Sequence, residues 1–190
     1  MLINQELDNE DAFKSQYKQL YLELFQKNEQ EITQMNSLSD TYFLVYIGCY
    51  FDWISPEDLD VLTSAEKIVQ ESDLEQDVYW YSMIGKLTDS KLDTMLVSSV
   101  ISSFFVESGY TIAKSNPELI NILSTYRMFV TAQNADISMD ESFLSTFLEN
   151  HQGDDGGYFV MAKTDEIIDY RDNFTLQSFY YGLSLEMLIS

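Results

Sequence analysis

Tyr42-Phe43-Leu44-Val45-Tyr46-Ile47-Gly48-Cys49-Tyr50-Phe51-Asp52-Trp53-Ile54-Ser55-Pro56-Glu57-Asp58 runs from an apolar segment straight into a helix start signal. The run Tyr42 to Trp53 is apolar nearly all round, which predicts a central helix capped by Ser39 or Asp40. Ser55 then caps again, and Pro56 takes a first helical position where no donor is needed. Glu57 and Asp58 face the positive end of the next dipole, so a further helix runs to about Gln70.

On the amino-terminal side, Phe13, Tyr17, Leu20, Tyr21, Leu24 and Phe25 recur at the spacing of one helical face, predicting a long amphipathic first helix within residues 1–37. On the other side, Ser72-Asp73-Leu74-Glu75 matches a capping box and opens a helix that stops near Gly85. Ser90 starts one that ends by Gly109, and Asn116-Pro117-Glu118 repeats the cap-then-proline signal. Ser138-Met139-Asp140-Glu141 is a second capping box, for a helix ending near Asn150. Residues 151–157, His151-Gln152-Gly153-Asp154-Asp155-Gly156-Gly157, form a glycine-rich loop. Tyr158 to Ala162 suits either a short strand or a helical turn, and Phe174 to Ile189 closes the chain as an apolar helix. The expected fold is all-α: one domain over residues 1–190, a bundle of seven to eight short antiparallel helices without an extended sheet.

The 190 residues, 45% hydrophobic and 14% aromatic, suffice for a single core without disulfides. No basic segment followed by an apolar one begins the sequence, and no apolar run reaches spanning length. Neither a secretory signal nor a membrane helix is expected, and a cytoplasmic setting follows. The 32 acidic against 10 basic residues give a net charge of −22, which repels nucleic acid and anionic lipid. Asp52 to Asp93 holds eleven acids and three bases, Asp136 to Asp172 ten and two, and Thr94 to Ala135 two of each. Two negative blocks thus flank a near-neutral middle. Converging in space, they would steer a cationic partner, with desolvated anchors among Tyr79, Trp80, Tyr81, Tyr158 and Tyr170. A general solubility or halophilic bias is the alternative account of the acidity.

Catalytic chemistry has little to draw on. His151 reads as a solvated residue at a helix end and Cys49 as a buried apolar thiol; no Ser-His-Asp or Cys-His set can be assigned. Zinc ligands are lacking, the calcium-loop series is absent around Asp154 and Asp155, and the glycine loop carries no phosphate-binding lysine. No enzyme activity, metal or cofactor is expected.

The segment Tyr180-Tyr181-Gly182-Leu183-Ser184-Leu185-Glu186-Met187-Leu188 resembles the closing helix of PoNi-type immunity proteins, with Tyr180, Ser184 and Glu186 at matching positions. Leu183 and Leu185 stand where that family has tryptophan and phenylalanine, and Gly182 is shifted by one. Tyr42-Phe43-Leu44 through Leu59, with the acidic Glu71 to Asp77 segment, is similar to the family's apolar helix, acid-capped helix and acidic connector. The resemblance implies a helical protein that neutralises a bacterial toxin, commonly a nuclease, whose phosphate-holding site accepts carboxylates instead. The partner-binding residues expected on this reading are Glu71, Asp73, Glu75 and Asp77, or Asp154, Asp155, Asp165, Glu166, Asp169 and Asp172. A DNA mimic that inhibits restriction or CRISPR machinery is the alternative, and it would need carboxylates spaced like phosphates.

Overall fold

The computed structural model describes residues 14–27, 38–55, 61–154, 156–160 and 176–189. Helix α1 covers residues 14–27. It is followed by α2 (Leu38–Tyr50), α3 (Val61–Glu71), α4 (Glu75–Leu87), α5 (Thr94–Phe104), strands β1 (Phe105–Val106), β2 (Gly109–Ala113) and β3 (Asn116–Ile120), then α6 (Ile122–Asn134), α7 (Leu144–His151) and α8 (Leu176–Glu186). The expectations for residues 1–13, 28–37 and 56–60 lie outside the described residues.

Helices α4 and α6 pack most extensively on each other; α2 and α3 gather on α4, α5 touches both, and α8 lies on α6. Their inward residues explain this centre: Val78 and Tyr81 from α4 and Ile122, Met128 and Ala132 from α6 belong to one apolar cluster. Each fully buried large side chain contributes about 1.5–3 kcal/mol relative to its exposed state. Within α1 only Tyr21 and Phe25, one turn apart, are buried; Tyr17, Leu20 and Leu24 remain exposed. Tyr21 donates its hydroxyl to the Leu44 carbonyl at 2.9 Å. Gly48 makes room for that phenol, since a Cβ there would lie 2.1 Å from the hydroxyl oxygen.

The all-α expectation is corrected by a small antiparallel sheet of order β1-β2-β3. Phe105 pairs with Tyr110 and Val106 with Gly109, while Thr111 pairs with Ile120 and Ala113 with Asn116 across an irregular register. Thr111 holds the second hairpin together, its hydroxyl 2.6 Å from the Asn116 carbonyl. Asn116-Pro117-Glu118, expected to open a helix, lies instead in the exposed strand β3. Proline lacks the ladder donor but is tolerated on a sheet edge, so the same tripeptide serves either structure. The cap of α6 comes later, where Asn121 accepts from Ser124 N at 2.7 Å.

Other boundaries shift for similar reasons. Asp93, not Ser90, caps α5, accepting from Met95 N and Leu96 N at 2.9 and 3.0 Å; the helix stops at Phe104, before Gly109. Asp140 turns the backbone by accepting from Ser142 N, and α7 starts only at Leu144. The glycine-rich stretch is a turn as expected, closed by Gly153 N to the Gly157 carbonyl at 2.7 Å, and Gly156 takes φ +82°. An isolated bridge between Gln152 and Tyr158 then returns the chain to α7.

The apolar helix α2 is not central. Leu38, Thr41, Val45 and Gly48 are buried, whereas Phe43, Tyr46, Ile47 and Tyr50 are exposed, so the helix covers the bundle with one face and offers aromatics on the other.

Candidate functional site

Within the first acidic block, Asp73, Glu75 and Asp77 make contacts that hold the fold. Asp73 accepts from Ser115 N at 2.9 Å and from the Ser115 hydroxyl, and its carbonyl takes Lys114 N at 3.0 Å. Lys114 Nζ donates to the Ser72 carbonyl at 2.7 Å, so the connector between α3 and α4 clasps the tip of the β2–β3 hairpin. Asp77, half-buried, accepts from the Ser72 hydroxyl. Glu71 is exposed at the end of α3.

Glu75 departs furthest from its expected role. It is 2% exposed, and its Oε1 accepts from Arg127 Nη1 at 2.9 Å and Ser124 Oγ at 3.3 Å. Burial raises its carboxyl above the usual carboxylate range even though Arg127 pulls the other way. A carboxylate placed there cannot reach a partner in this conformation; it joins α4 to α6.

Of the second block, Asp154 is exposed in the glycine turn. Asp155, Asp165, Glu166, Asp169 and Asp172 lie outside the described residues, as does Tyr170. Among the anchor candidates, Tyr81 and Tyr158 are core residues whose phenols are pushed up to about 12 by burial. Tyr79 and Trp80 stay half-buried.

Those two belong to a continuous aromatic surface. On α2 Tyr50 stacks on Tyr46 and Tyr46 on Tyr42, with ring centroids 6.4 and 6.2 Å apart. Tyr42 and Phe43 both meet Trp80 of α4, at 5.2 and 5.6 Å, and Trp80 meets Tyr79 at 4.9 Å. Arg127 lies 5.2 Å over the Tyr79 ring, and its neighbour Tyr126 packs on Tyr180 and Tyr181 of α8. The track thus crosses α2, α4, α6 and α8. Tyr50 is 70%, Tyr180 58% and Phe43 51% exposed, well beyond scattered surface hydrophobes. Exposed Asp40 and Asp52 stand at either end of the α2 portion, Asp77 one turn before Trp80, and exposed Glu186 on α8 beyond Tyr180.

Composition alone did not reveal this face, but its signal is in the sequence. Tyr42, Tyr46 and Tyr50 fall at i, i+4 and i+8, while Thr41, Val45 and Gly48 supply the buried side. Three tyrosines in one column suit an apolar body with a wetted hydroxyl better than a core.

His151 is not the solvated residue expected. It is fully buried at the end of α7, its ring 4.1 Å from Phe147 and its Nδ1 2.7 Å from the Phe147 carbonyl. A carbonyl only accepts, so the ring carries its proton on Nδ1, and Nε2 is buried with no partner among the described residues. Desolvation lowers the imidazole to about 4. Cys49 is half-buried, and burial with nearby Asp52 raises its thiol. Among the described residues no group of three or more His, Cys, Asp and Glu side chains is placed to hold a metal ion, and no helix is long and apolar enough to cross a membrane. No family model matches the chain, and neither a curated protein nor a solved structure matches it.

Proposed function

We propose that this chain is an immunity-type inhibitor that acts in the cytoplasm by binding a basic protein, of the nuclease-toxin class, through the aromatic track. The acid-rimmed track is the observation that carries the reading. Interface hot spots are enriched in tyrosine, tryptophan and arginine at a desolvated centre, with charge confined to the rim. A net charge of −22 steers a cation toward such a surface, and the rings hold it once water is displaced. The resemblance of Tyr180, Ser184 and Glu186 to PoNi-type proteins supports the toxin class. A DNA mimic would present carboxylates in a phosphate-like row, whereas among the described residues the exposed feature that crosses α2, α4, α6 and α8 is aromatic.

The direct test uses cells that express the basic product of the neighbouring reading frame. This chain should protect their growth, and Trp80→Ala combined with Tyr46→Ala should abolish protection. Full protection by that variant, or equal binding to unrelated DNA-binding proteins, would sink the proposal.

A further inference from the structure

Tyr126, at the α6 portion of the track, also forms a wall of an open cleft of about 630 Å³ between α6, the segment after it and α8. Phe129 is a second aromatic wall, Leu188 closes the apolar side, and Asp140 and Glu141 stand at the lip. The cleft continues from the track, since Ser184 lines it and donates its hydroxyl to the carbonyl of Tyr180 at 2.8 Å. Its volume falls in the range of ligand pockets, which bind through apolar walls and a few placed polar groups.

The chemistry of the lining narrows the occupant. Among the described residues no lysine or arginine lines the cleft, so nothing cationic in that lining offsets the two carboxylates at its lip. Asp140 gives one oxygen to Ser142 N at 2.9 Å, and this bond holds its carboxyl below the usual range, so it stays anionic at neutral pH. Aromatic walls beside carboxylates favour a cation that is flat, weakly hydrated and able to take two oxygens at once. Guanidinium meets all three conditions, whereas ammonium is more strongly hydrated.

We infer that this cleft receives an arginine side chain of the cationic partner, laid against Tyr126 and Phe129 on α6 and paired with Asp140 and Glu141. The inference rests on the binding function proposed above and adds to it the residue type the partner must present. The volume accommodates the side chain with peptide on either side.

The test titrates the isotopically labelled full chain with Nα-acetyl-arginine amide and, separately, with its neutral isostere Nα-acetyl-citrulline amide. Saturable amide shifts at Gln133, Ser138 and Glu141 are expected for the arginine compound, with citrulline at least about tenfold weaker. Asp140→Asn with Glu141→Gln, both exposed positions, should weaken arginine binding about tenfold while leaving the rest of the spectrum intact. Equal binding of the two compounds, no saturation, or an unchanged affinity in the double variant would overturn the assignment. Toxin binding measured on the same variant separates the two claims. Failure at the cleft with toxin binding retained removes only the arginine site, whereas a chain that binds no basic toxin at all removes the function beneath it.

Discussion

Arg127 of α6 and Glu75 of α4 face each other across the two most heavily packed helices, Nη1 to Oε1 at 2.9 Å, with Glu75 almost wholly removed from water. The pair sits under the aromatic track, because the same guanidinium covers Tyr79. An acid read as a partner contact is therefore a tie that joins the α4 and α6 portions of that surface.

Removing one member of a buried pair leaves the other uncompensated, so Glu75→Ala should cost about 3 kcal/mol. Glu75→Gln should cost less, since it keeps an oxygen for Ser124 and Arg127. The raised carboxyl sets the sign with pH. The proton-linked part of its contribution is present below the ordinary carboxylate value and is lost as pH rises through the elevated one, so at neutral pH the substitution removes only the tie to Arg127 and Ser124. Urea midpoints at neutral pH measure both variants; a loss for Glu75→Ala within about 0.5 kcal/mol, as for a surface residue, would contradict the pairing.

His151 works in the opposite pH direction from that carboxylate. Its folded value of about 4 lies below the ordinary 6.5, so the unfolded chain takes up a proton that the folded chain refuses. The stabilisation of the neutral ring is complete above pH 6.5 and erodes as pH falls toward 4, by up to about 3 kcal/mol. Measured against His151→Leu at each pH, wild type should lose stability over this window. A constant difference between the two proteins would refute the account.

Gly182 lets α8 settle on Tyr158: an added Cβ would lie 2.2 Å from the ring carbon Cγ, and Ser178 donates to the Tyr158 carbonyl at 2.7 Å alongside. Alanine normally stabilises a helix over glycine by about 1 kcal/mol. Here Gly182→Ala should instead lower stability by about 1–3 kcal/mol through overpacking. Thermal unfolding should show most of that loss relieved when Tyr158→Leu is added, and strict additivity of the two substitutions would argue against the contact.

Track and rim should separate kinetically. Trp80→Ala is predicted to weaken toxin binding by about 2 kcal/mol or more, through faster dissociation. Asp40→Lys with Asp52→Lys should instead slow association and flatten its salt dependence. Stopped-flow rates at several ionic strengths distinguish them, and an unchanged association rate after the charge reversal would remove the steering role from the rim.

The helical character of the chain was legible because amphipathic spacing and capping residues are local signals. The cap between Phe104 and Ile122 was misplaced because Asn116-Pro117-Glu118 carries the chemistry of both a helix start and an edge strand, and only docking against β2 and the Asp73 clasp selects the second. Glu75 was misassigned for a related reason. An acid in a first helical turn is usually exposed, and nothing within four residues announces an arginine 52 positions away. Counting acids located charge along the chain but said nothing of which carboxylates the fold consumes. The column Tyr42, Tyr46, Tyr50 was readable in principle, yet an all-round apolar run suggests burial until the small residues on its other face are weighed.

A face that carries Phe43, Tyr46 and Tyr50 in water would ordinarily draw two copies of the protein together. The charge of −22 opposes this, since like molecules repel at the ranges where the rings would meet. That protection weakens as added salt shortens the reach of the field from about 8 Å at physiological ionic strength to about 3 Å at 1 M. Dimers sealed through α2 should therefore accumulate in concentrated salt and dissolve on dilution.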